Sequence, residues 1–543
     1  MLPSHSRPRF APGAAVCCAR AFGGLRGAAS QRPDARLWTV SRRGSANRAS
    51  RVVVCYYRGV GRRSNFIRRD DWNALPAQSC ASCSPPLLLP QPMVIAMHRV
   101  GLSLAILALA AAPARADWPQ FRGPTGQGIA EAAPLTWSED SGVTWKTPLP
   151  GRGWSSPVVA DGQIWLTTAV ETPPNAQQQE ETKAKFADHP VGGEMGSAGA
   201  IDLSAIQIDF ETGEIVRTVP LFHVESPQAI HGLNSYASPT PVLADGKCYC
   251  HFGAFGTARV DCASGEVDWR QTLSLDHIVG PGSSPAVFED LLIIPCDGAD
   301  EQYVAALETS NGKIAWHTPR PPIRATDGDL RKAFCTPLVI NVDGAAQAVI
   351  PGAQWFIAYD PRTGRELWRV DHGDGFSNVP RPLYDGRNVF LCTGFGRQAG
   401  LLAIDPRGSG DVTETHVTWR EDGKRISTQP SPVLVGDRIY MINDTGVASC
   451  YDASTGAEKW RKRIAGNYSA SLLAVDQRVY FFNREGVTTV IAAGDEFDEI
   501  TKNTLDGSIM ATPAAVGGDL VLRTDTHLYR IIGVPPAARL GMK

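Results

Sequence analysis

The segment from His231 to Pro241, with the sequence HGLNSYASPTP, carries the side chains best suited to chemistry in this chain. His231, Asn234 and Ser235 place an imidazole, an amide and a hydroxyl within five residues, and such a set can bind a polar ligand through hydrogen bonds. The same side chains can instead satisfy backbone groups of the loop that carries them. The sequence therefore predicts either a ligand-binding cluster or a structural one here.

A second candidate cluster comprises Asn378 and Arg381 in the sequence FSNVPRPL. The two side chains are predicted to face a central channel and to bind a ligand there, and the alternative is a surface arginine held by nearby acids. The glycine-rich sequence GPGSSP at 280–285 lies between predicted strands rather than before a helix, so it does not predict a phosphate-binding loop. No catalytic residue is assigned.

The cysteines favour neither a metal centre nor a haem. The chain has 12 cysteines, and those that follow residue 116 lie in apolar runs without CxxC spacing: Cys248, Cys250, Cys262, Cys296, Cys335, Cys392 and Cys450. We expect most of them to be small buried side chains, and we assign no metal ligand.

The first 116 residues differ in composition from the rest of the chain. Residues 1–96 are rich in arginine and contain no lysine, which indicates a mis-assigned start or a disordered leader. Residues 97–116 combine a positive start, an apolar run from Val100 to Ala112 and the ending Ala114-Arg115-Ala116, the pattern of a secretory signal peptide. The predicted mature chain is secreted or periplasmic and begins at Asp117.

The predicted mature chain is acidic. The whole chain has 53 Lys and Arg against 55 Asp and Glu, and residues 1–116 hold 17 of the arginines and three of the aspartates. The remainder therefore carries 36 basic and 52 acidic residues, a formal charge of −16. An acidic surface opposes binding to the phosphates of nucleic acid, so we expect no nucleic-acid partner.

Two short phrases recur along the mature chain, as they do in repeat architectures. The first is a proline followed by apolar residues, a turn and a β-rich run. It occurs at Pro157, Pro241, Pro285, Pro337, Pro382, Pro432 and Pro513, and at Leu472 with leucine in the place of proline. Apart from the first spacing, the units are about 40 to 50 residues apart, the length of a four-stranded propeller blade.

The second phrase is an acid, a glycine and a tryptophan, as in YDASTGAEKW at 451–460. The carboxylate is expected to accept hydrogen bonds from the turn, the glycine to supply a positive φ, and the tryptophan to pack between blades. The residues assigned to this structural role are Trp145, Asp261, Gly265, Trp269, Gly312, Trp316, Asp360, Gly364, Trp368, Asp452, Gly456 and Trp460.

These repeats predict an all-β fold, an eight-bladed propeller over residues 117–533 with a tail at 534–543. The eighth unit lacks an outer strand, and GVTWKTPL with Trp145 can supply it from the N-terminal side, which closes the ring and removes both sheet edges. Residues 171–200 are polar and lack a core pattern, so they are predicted to be a loop insertion. Such a loop is either solvated or a lid or partner contact.

The repeats AYDPRTGRELW and YDASTGAEKW resemble the tryptophan-docking repeat of the pyrroloquinoline-quinone (PQQ) repeat propellers. DWPQFRGPTGQG, from Asp117, is similar to the mature start of secreted bacterial members, and the 231–241 segment is similar to theirs. The family includes quinoprotein dehydrogenases as well as non-enzymatic proteins such as the outer-membrane assembly lipoprotein BamB. The resemblance therefore implies the fold but not an activity.

The sequence differs both from the quinoprotein dehydrogenases and from BamB, and these differences determine the function that we expect. The mature chain has no adjacent cysteines, no stretch that matches the calcium ligands of the dehydrogenases and no CxxCH haem site, and Asp117 stands where BamB has its lipid-anchored cysteine. We expect a monomeric, non-catalytic propeller without a cofactor or lipid anchor that binds a protein, peptide or glycan. The alternative is an oxidoreductase that uses PQQ with calcium at a divergent site.

Overall fold

The computed structural model describes residues 117–396, 399–423 and 425–532. The predicted leader at 1–96, the signal peptide at 97–116 and the tail at 534–543 lie outside the described residues. Among the described residues, no helix is both long and apolar enough to cross a membrane.

Eight antiparallel sheets of four main strands follow one another along the described chain, which confirms the predicted eight-bladed propeller. Blade 1 contains Val158–Ala160, Gln163–Thr172, Ala200–Asp209 and Ile215–Glu225. Blade 2 contains Val242–Ala244, Lys247–His251, Thr257–Asp261 and Val267–Gln271. Blade 3 contains Ala286–Phe288, Leu291–Asp297, Gln302–Glu308 and Ile314–Pro319. Blade 4 contains Leu338–Val342, Ala345–Pro351, Trp355–Tyr359 and Glu366–Asp371.

The other four blades repeat this order from the inner to the outer strand. Blade 5 contains Leu383–Tyr384, Val389–Cys392, Gly400–Ile404 and Val417–Asp422. Blade 6 contains Val433–Val435, Arg438–Ile442, Val447–Asp452 and Glu458–Arg463. Blade 7 contains Leu473–Val475, Arg478–Phe482, Val487–Ala492 and Asp498–Thr504. Blade 8 contains Ala514–Val516, Asp519–Arg523, His527–Ile531 and, from the N-terminal side, Val143–Pro148.

The outer strand of blade 8 confirms the predicted closure of the ring. Val143–Pro148 pairs antiparallel with His527–Ile531, and Trp145 lies opposite Arg530. Two short strands extend other blades: Ile129–Ala130 runs parallel to the inner strand of blade 7, and Gly410–Asp411 runs parallel to the outer strand of blade 4.

The tryptophan of the repeated phrase joins five of the blades to the next. The indole N–H of Trp269 donates to the carbonyl of Thr309 in blade 3 at 2.9 Å, and its ring faces Gly312. Trp145, Trp316, Trp419 and Trp460 donate in the same way to the blade that follows, with acceptors Phe210, Pro361, Ala453 and Gly494. Trp368 differs, because its N–H donates to Gln347 of its own blade at 2.8 Å.

The hairpins before these tryptophans have the geometry that the phrase implies. Asp452 Oδ1 accepts the backbone N–H groups of Ser454 and Thr455 at 3.0 and 3.1 Å. Gly456 has a φ of 74°, in the left-handed region, and a Cβ at this position would lie 2.6 Å from the ring of Trp419. A larger residue would therefore be strained and would also displace the docked tryptophan.

The 171–200 insertion is not a simple loop, which corrects the sequence-based expectation. It contains an α-helix at Ala176–Lys185, a 3₁₀ turn at Gly192–Glu194 and a short strand at Met195–Gly196 that pairs with Ile230–His231. Asn175 and Gln178 form a capping box at the start of the helix. The helix buries no residue, so no apolar stripe marks it in the sequence.

The N-terminal segment at 117–128 crosses one end of the ring. Trp118 exchanges backbone hydrogen bonds with Val159 of blade 1, and the carbonyl of Pro119 accepts the N–H of Leu243 in blade 2 at 2.8 Å. The carbonyl of Gly128 accepts the N–H of Ala474 in blade 7 at 2.8 Å. This segment thus covers the axis at the face where the inner strands end.

Candidate functional site

A ring of hydroxyl groups surrounds the channel axis. The residue before each repeat proline, or before Leu472, is a serine or threonine in seven blades: Ser156, Thr240, Ser284, Thr336, Ser431, Ser471 and Thr512. All seven are buried. Arg381 occupies the same position in blade 5. We call these seven residues the hydroxyl ring.

The hydroxyl ring is held by hydrogen bonds that run from blade to blade. The backbone N–H of Ser156 donates to Thr240 Oγ1 at 3.0 Å, and the N–H of Thr240 donates to Ser284 Oγ at 2.9 Å. The remaining links are Ser284 to Thr336, Arg381 to Ser431, Ser431 to Ser471, Ser471 to Thr512 and Thr512 to Ser156, at 2.9–3.2 Å. The link after Thr336 is missing because an arginine side chain has no acceptor.

A cavity of about 680 Å³ lies above the hydroxyl ring, and Phe121 of the 117–128 segment is among its lining residues. Six of the seven ring residues line its floor, the exception being Ser431. Its apolar walls come from Trp154, Leu233, Val279, Leu330, Phe334, Phe376, Val379, Phe395 and Met510. Gln429, Asp444 and Ser469 supply a polar wall on the side of blades 6 and 7. A cavity of this size and lining has the character of a ligand site.

The structure separates the three residues of the 231–235 cluster. His231 lines the cavity, and its Nε2 lies 2.9 Å from Glu194 of the insertion. Asn234 also lines the cavity, but its amide donates to the carbonyls of Val279 and Pro281. Ser235 is fully buried, bonds Ser238 at 2.8 Å and does not line the cavity.

Asn378 and Arg381 do not line this cavity, contrary to the expectation that they face it. Asn378 is fully buried and donates to the carbonyl of Cys392 at 3.3 Å. Arg381 turns to the opposite face, where it bonds the Gln120 side chain at 3.0 Å and lines a second cavity of about 300 Å³. Arg381 has this orientation because polar groups of the 117–128 segment attract its guanidinium. The alternative prediction, a surface arginine held by acids, is wrong because Arg381 is buried.

Three buried arginines lie next to the hydroxyl ring without a carboxylate partner among the described residues. Arg381 is itself at a ring position, Arg122 donates to the carbonyl of Pro432, and Arg523 donates to Ser155 Oγ at 2.7 Å. Burial lowers the pKa of Arg381 to about 10 and the pKa of Arg122 and Arg523 to about 9. At neutral pH all three remain protonated.

The insertion forms part of the cavity wall through Pro190, Val191 and Glu194. Three contacts tie it to neighbouring loops: Lys185 to Asp276 at 3.5 Å, His189 to Asp329 at 3.2 Å and Glu194 to His231 at 2.9 Å. The same Asp329 carboxylate pairs with the buried Lys332, whose pKa is lowered to about 8 by burial.

The residues of the cavity do not fit PQQ with calcium. Calcium takes six to eight oxygen ligands, with carboxylates prominent among them. The lining carboxylates are Glu194, Asp329 and Asp444; the first two are paired with His231 and Lys332, and Asp444 accepts hydrogen bonds from Gln429. Within the described residues, no three His, Cys, Asp or Glu side chains form a group that could hold a metal ion.

The cysteines are single thiols in the described chain, and all except Cys262 are buried. None of them lines the cavity. Burial raises the pKa of Cys335, Cys296 and Cys392, which keeps these thiols protonated.

Parts of the propeller are similar in sequence to known proteins. Residues 398–496 match the family model described as outer membrane protein assembly factor BamB. Over 114 residues the chain is 30% identical to outer membrane protein assembly factor BamB of Burkholderia pseudomallei, covering 21% of this chain and 29% of that protein. Over 168 residues it is 27% identical to serine/threonine-protein kinase AfsK of Streptomyces griseus, covering 29% of this chain and 18% of that protein. Each match spans less than a third of the relative's length.

Solved structures with similar architecture include BamB from Moraxella catarrhalis, with a TM-score of 0.47 and 12% identity over 72% of this chain and 98% of that one. Quinohemoprotein alcohol dehydrogenase from Comamonas testosteroni has a TM-score of 0.42 and 13% identity, covering 79% of this chain and 82% of that one. Eight blades, hairpins docked by tryptophan and the family-model match within blades 5 to 7 are features that this chain shares with the PQQ-repeat β-propellers.

Proposed function

We propose that this protein is a secreted or periplasmic, non-catalytic propeller that binds an apolar segment of a partner protein or peptide in the cavity above the hydroxyl ring. The observation that carries the proposal is the apolar rim of the cavity. Leu233, Leu330 and Phe395 line the cavity and are 44%, 39% and 39% exposed. Large apolar side chains that share one exposed rim indicate an interaction site.

The lining of the cavity suits a peptide. Phe334, Phe376 and Phe395 come from loops of neighbouring blades and give one side of the cavity an aromatic wall. A peptide combines apolar side chains with a polar backbone. The aromatic wall suits the side chains, and Gln429 and Ser469 on the opposite wall suit the backbone.

The relative from Burkholderia pseudomallei is named an assembly factor for outer membrane proteins. That name supports a protein partner for this chain as well. The shared stretch covers only 29% of the relative, so the partner itself is left to experiment.

Binding to arrays of random octapeptides tests this proposal. We expect the wild-type propeller to bind a subset of peptides rich in apolar residues. Leu233→Asp and Phe395→Asp should each weaken this binding at least tenfold, because a charge replaces an apolar contact at the rim. Ile500→Asp is the matched control, since Ile500 is 42% exposed on the outer strand of blade 7 and does not line the cavity.

Two outcomes would contradict the proposal. One is equal loss of binding in the rim variants and in the Ile500→Asp control, which would place binding elsewhere. The other is dye-linked oxidation of alcohols by the purified protein after addition of PQQ and calcium, which would support the quinoprotein alternative despite the unsuitable carboxylates.

A further inference from the structure

We infer that the hydroxyl ring binds the C-terminal carboxylate of the peptide segment, so that the cavity accepts a chain end rather than an internal stretch. This inference rests on the proposed function and adds the chemical class of the ligand's inner end. It follows from the hydrogen bonds of the ring, from the charges next to it and from the shape of the cavity.

The hydroxyl ring has unused donors. Each ring oxygen accepts one backbone N–H from the preceding blade. None of the seven ring hydroxyls donates a hydrogen bond to a group among the described residues. Six of these buried O–H groups line the cavity floor around one axis. Several convergent donors without acceptors are suited to a group that only accepts, and a carboxylate accepts through two oxygens.

Three buried arginines lie behind the hydroxyl ring rather than in the cavity lining, and their charge has the sign that favours an anion. Arg122, Arg381 and Arg523 are each 2% exposed or less and contact no carboxylate within the described part of the chain. Nε and Nη1 of Arg122, and Nε of Arg523, have no hydrogen-bond partner among the residues that the structure describes. Buried charges are weakly screened, so these guanidinium groups give the floor a positive potential in an otherwise acidic protein.

Each acidic side chain of the cavity already has a hydrogen-bonding or ion-pair partner. Glu194 is paired with His231 at 2.9 Å, and Asp329 is paired with Lys332. Asp444 accepts hydrogen bonds from Thr428 and Gln429 and belongs to the polar wall rather than to the ring. A bound carboxylate would therefore meet hydroxyl donors at the floor with its charge complemented by the arginines.

Because the floor of the cavity is closed, we expect the end of a peptide chain, rather than an internal stretch, to enter it. The 117–128 segment covers the axis at the other face, and the side chain of Phe121 reaches the cavity lining. An internal stretch of peptide would have to turn back on itself within about 680 Å³. A chain end needs no turn, and its last side chains can contact the aromatic wall while its carboxylate reaches the ring.

Two random octapeptide libraries that differ only in their free end test the inference. Peptides fixed through the N-terminus present a free carboxylate, and peptides fixed through the C-terminus do not. We expect enrichment only from the first library, with apolar last residues. Equal enrichment from both would overturn the inference and leave the proposed function intact, whereas no enrichment from either would contradict the proposed function as well.

The best peptide is then measured as a free acid and as a C-terminal amide. We expect the acid to bind roughly 10- to 100-fold more tightly, the range for hydrogen bonds to a charged group. An amide that binds as tightly as the acid would overturn the inference. This comparison uses the wild-type protein and so does not depend on how any variant folds.

A double variant and its control test whether the hydroxyl ring causes the preference for the free acid over the amide. Thr240→Val with Thr512→Val removes two hydroxyls from the floor, and Thr488→Val removes a buried hydroxyl in blade 7 that lies outside the cavity. The ratio of acid to amide affinity is compared within each protein, so partial unfolding cancels. We expect the ratio to fall severalfold in the double variant and to stay unchanged in the control; an unchanged ratio in the double variant would overturn the assignment to the ring.

Discussion

The backbone N–H of Thr512 donates to Oγ of Ser156 at 3.1 Å, so the last blade is hydrogen-bonded to the first at the channel axis. The outer edge of the same junction is closed by Val143–Pro148, which pairs with His527–Ile531. The propeller is therefore closed at two radii, by a strand at its rim and by hydroxyl groups at its centre. The inner closure depends on the residue type before each repeat proline.

Because the ring hydroxyls close the propeller at its centre, removing one of them should lower its stability. Thr512→Val leaves the buried N–H of Ser471 without its acceptor, which stands at 2.9 Å in the native protein. We expect the free energy of unfolding to fall by about 1–3 kcal/mol. Denaturant unfolding measures the change.

Thr488→Val serves as the control for this prediction. Thr488 is 1% exposed and its hydroxyl has no hydrogen-bond partner in the described part of the chain, so the substitution should change stability little or raise it. Equal destabilisation by both substitutions would show that the ring bonds contribute nothing specific.

Trp145 docks against blade 1, so alanine substitutions at two glycines with the same backbone conformation should destabilise the protein to different extents. Gly162 and Gly213 have φ values of 72° and 74°. A Cβ at Gly162 would meet nothing within 4 Å, whereas at Gly213 it would lie 2.5 Å from the Trp145 ring. Gly162→Ala should cost about 1–2 kcal/mol for the left-handed backbone, and Gly213→Ala should cost a further 1–3 kcal/mol for the steric overlap.

Thermal melts and Trp fluorescence of both variants check this prediction. Gly213→Ala should also change the Trp145 environment, because the ring must move away from the hairpin. Identical melting temperatures for the two variants would mean that Trp145 does not dock closely against Gly213.

The sequence predicted the fold well because the repeat is local. Each hairpin needs its acid and its glycine within a few residues, so the eight units and the closing strand at Trp145 were visible without any distant information. The 176–185 helix was missed because it has no apolar stripe, although the pair Asn175 and Gln178 was an available sign of a helix start.

The candidate site was harder to predict because side-chain direction depends on distant segments. Arg381 turns towards Gln120, some 260 residues earlier in the chain, and no local pattern contains that contact. The hydroxyl ring, in contrast, was visible as a serine or threonine before nearly every repeat proline. The sequence does not show, however, that the blades bring these hydroxyls together around one axis.

Buried histidine predicts a loss of stability in mild acid. Nε2 of His277 accepts the N–H of Ala254 at 3.0 Å, and burial lowers the pKa of His277 to about 4 against 6.5 for an ordinary histidine. Between pH 6.5 and about 4 the unfolded chain binds the proton and the folded chain does not, so stability falls as the pH falls through this window. His277→Gln, which keeps an acceptor and removes the titration, should reduce this slope.

His223 provides a control of opposite sign. It is exposed, and hydrogen bonds to Glu225 and Asp202 raise its pKa. Its contribution is present below pH 6.5 and is lost as the pH rises through the raised pKa, so His223→Gln should not reduce the acid slope. Unfolding measured at a series of pH values from 4 to 8 compares the variants, and an unchanged slope in His277→Gln would contradict the prediction.

Replacement of residues 174–198 by a short Gly-Ser linker should leave the propeller folded. The helix buries no residue, and surface ion pairs such as Lys185–Asp276 contribute about 0–1 kcal/mol each. The main loss is the buried Phe186 side chain, worth about 2–3 kcal/mol. We expect one cooperative unfolding transition at a lower midpoint, together with weaker peptide binding because Pro190 and Val191 leave the cavity wall. Unchanged binding would show that this wall is not used.

Substitutions in the 231–235 cluster should separate a structural residue from a cavity residue. The Asn234 side chain makes four hydrogen bonds: its amide donates to Val279 and Pro281, and its Oδ1 accepts from Ser235 and Ser238. With no group left for a ligand, Asn234→Ala should lower the free energy of unfolding by about 1–3 kcal/mol through the buried groups it leaves unpaired.

His231→Ala should have the opposite profile. Its imidazole pairs with Glu194, whose side chain is 63% exposed, so the lost contact should cost little stability. The imidazole also lines the cavity and fixes the insertion beside it, so peptide affinity should fall. A thermal melt and a peptide titration on each variant distinguish the two roles. Strong destabilisation by His231→Ala with unchanged peptide affinity would assign His231 to the fold rather than to the site.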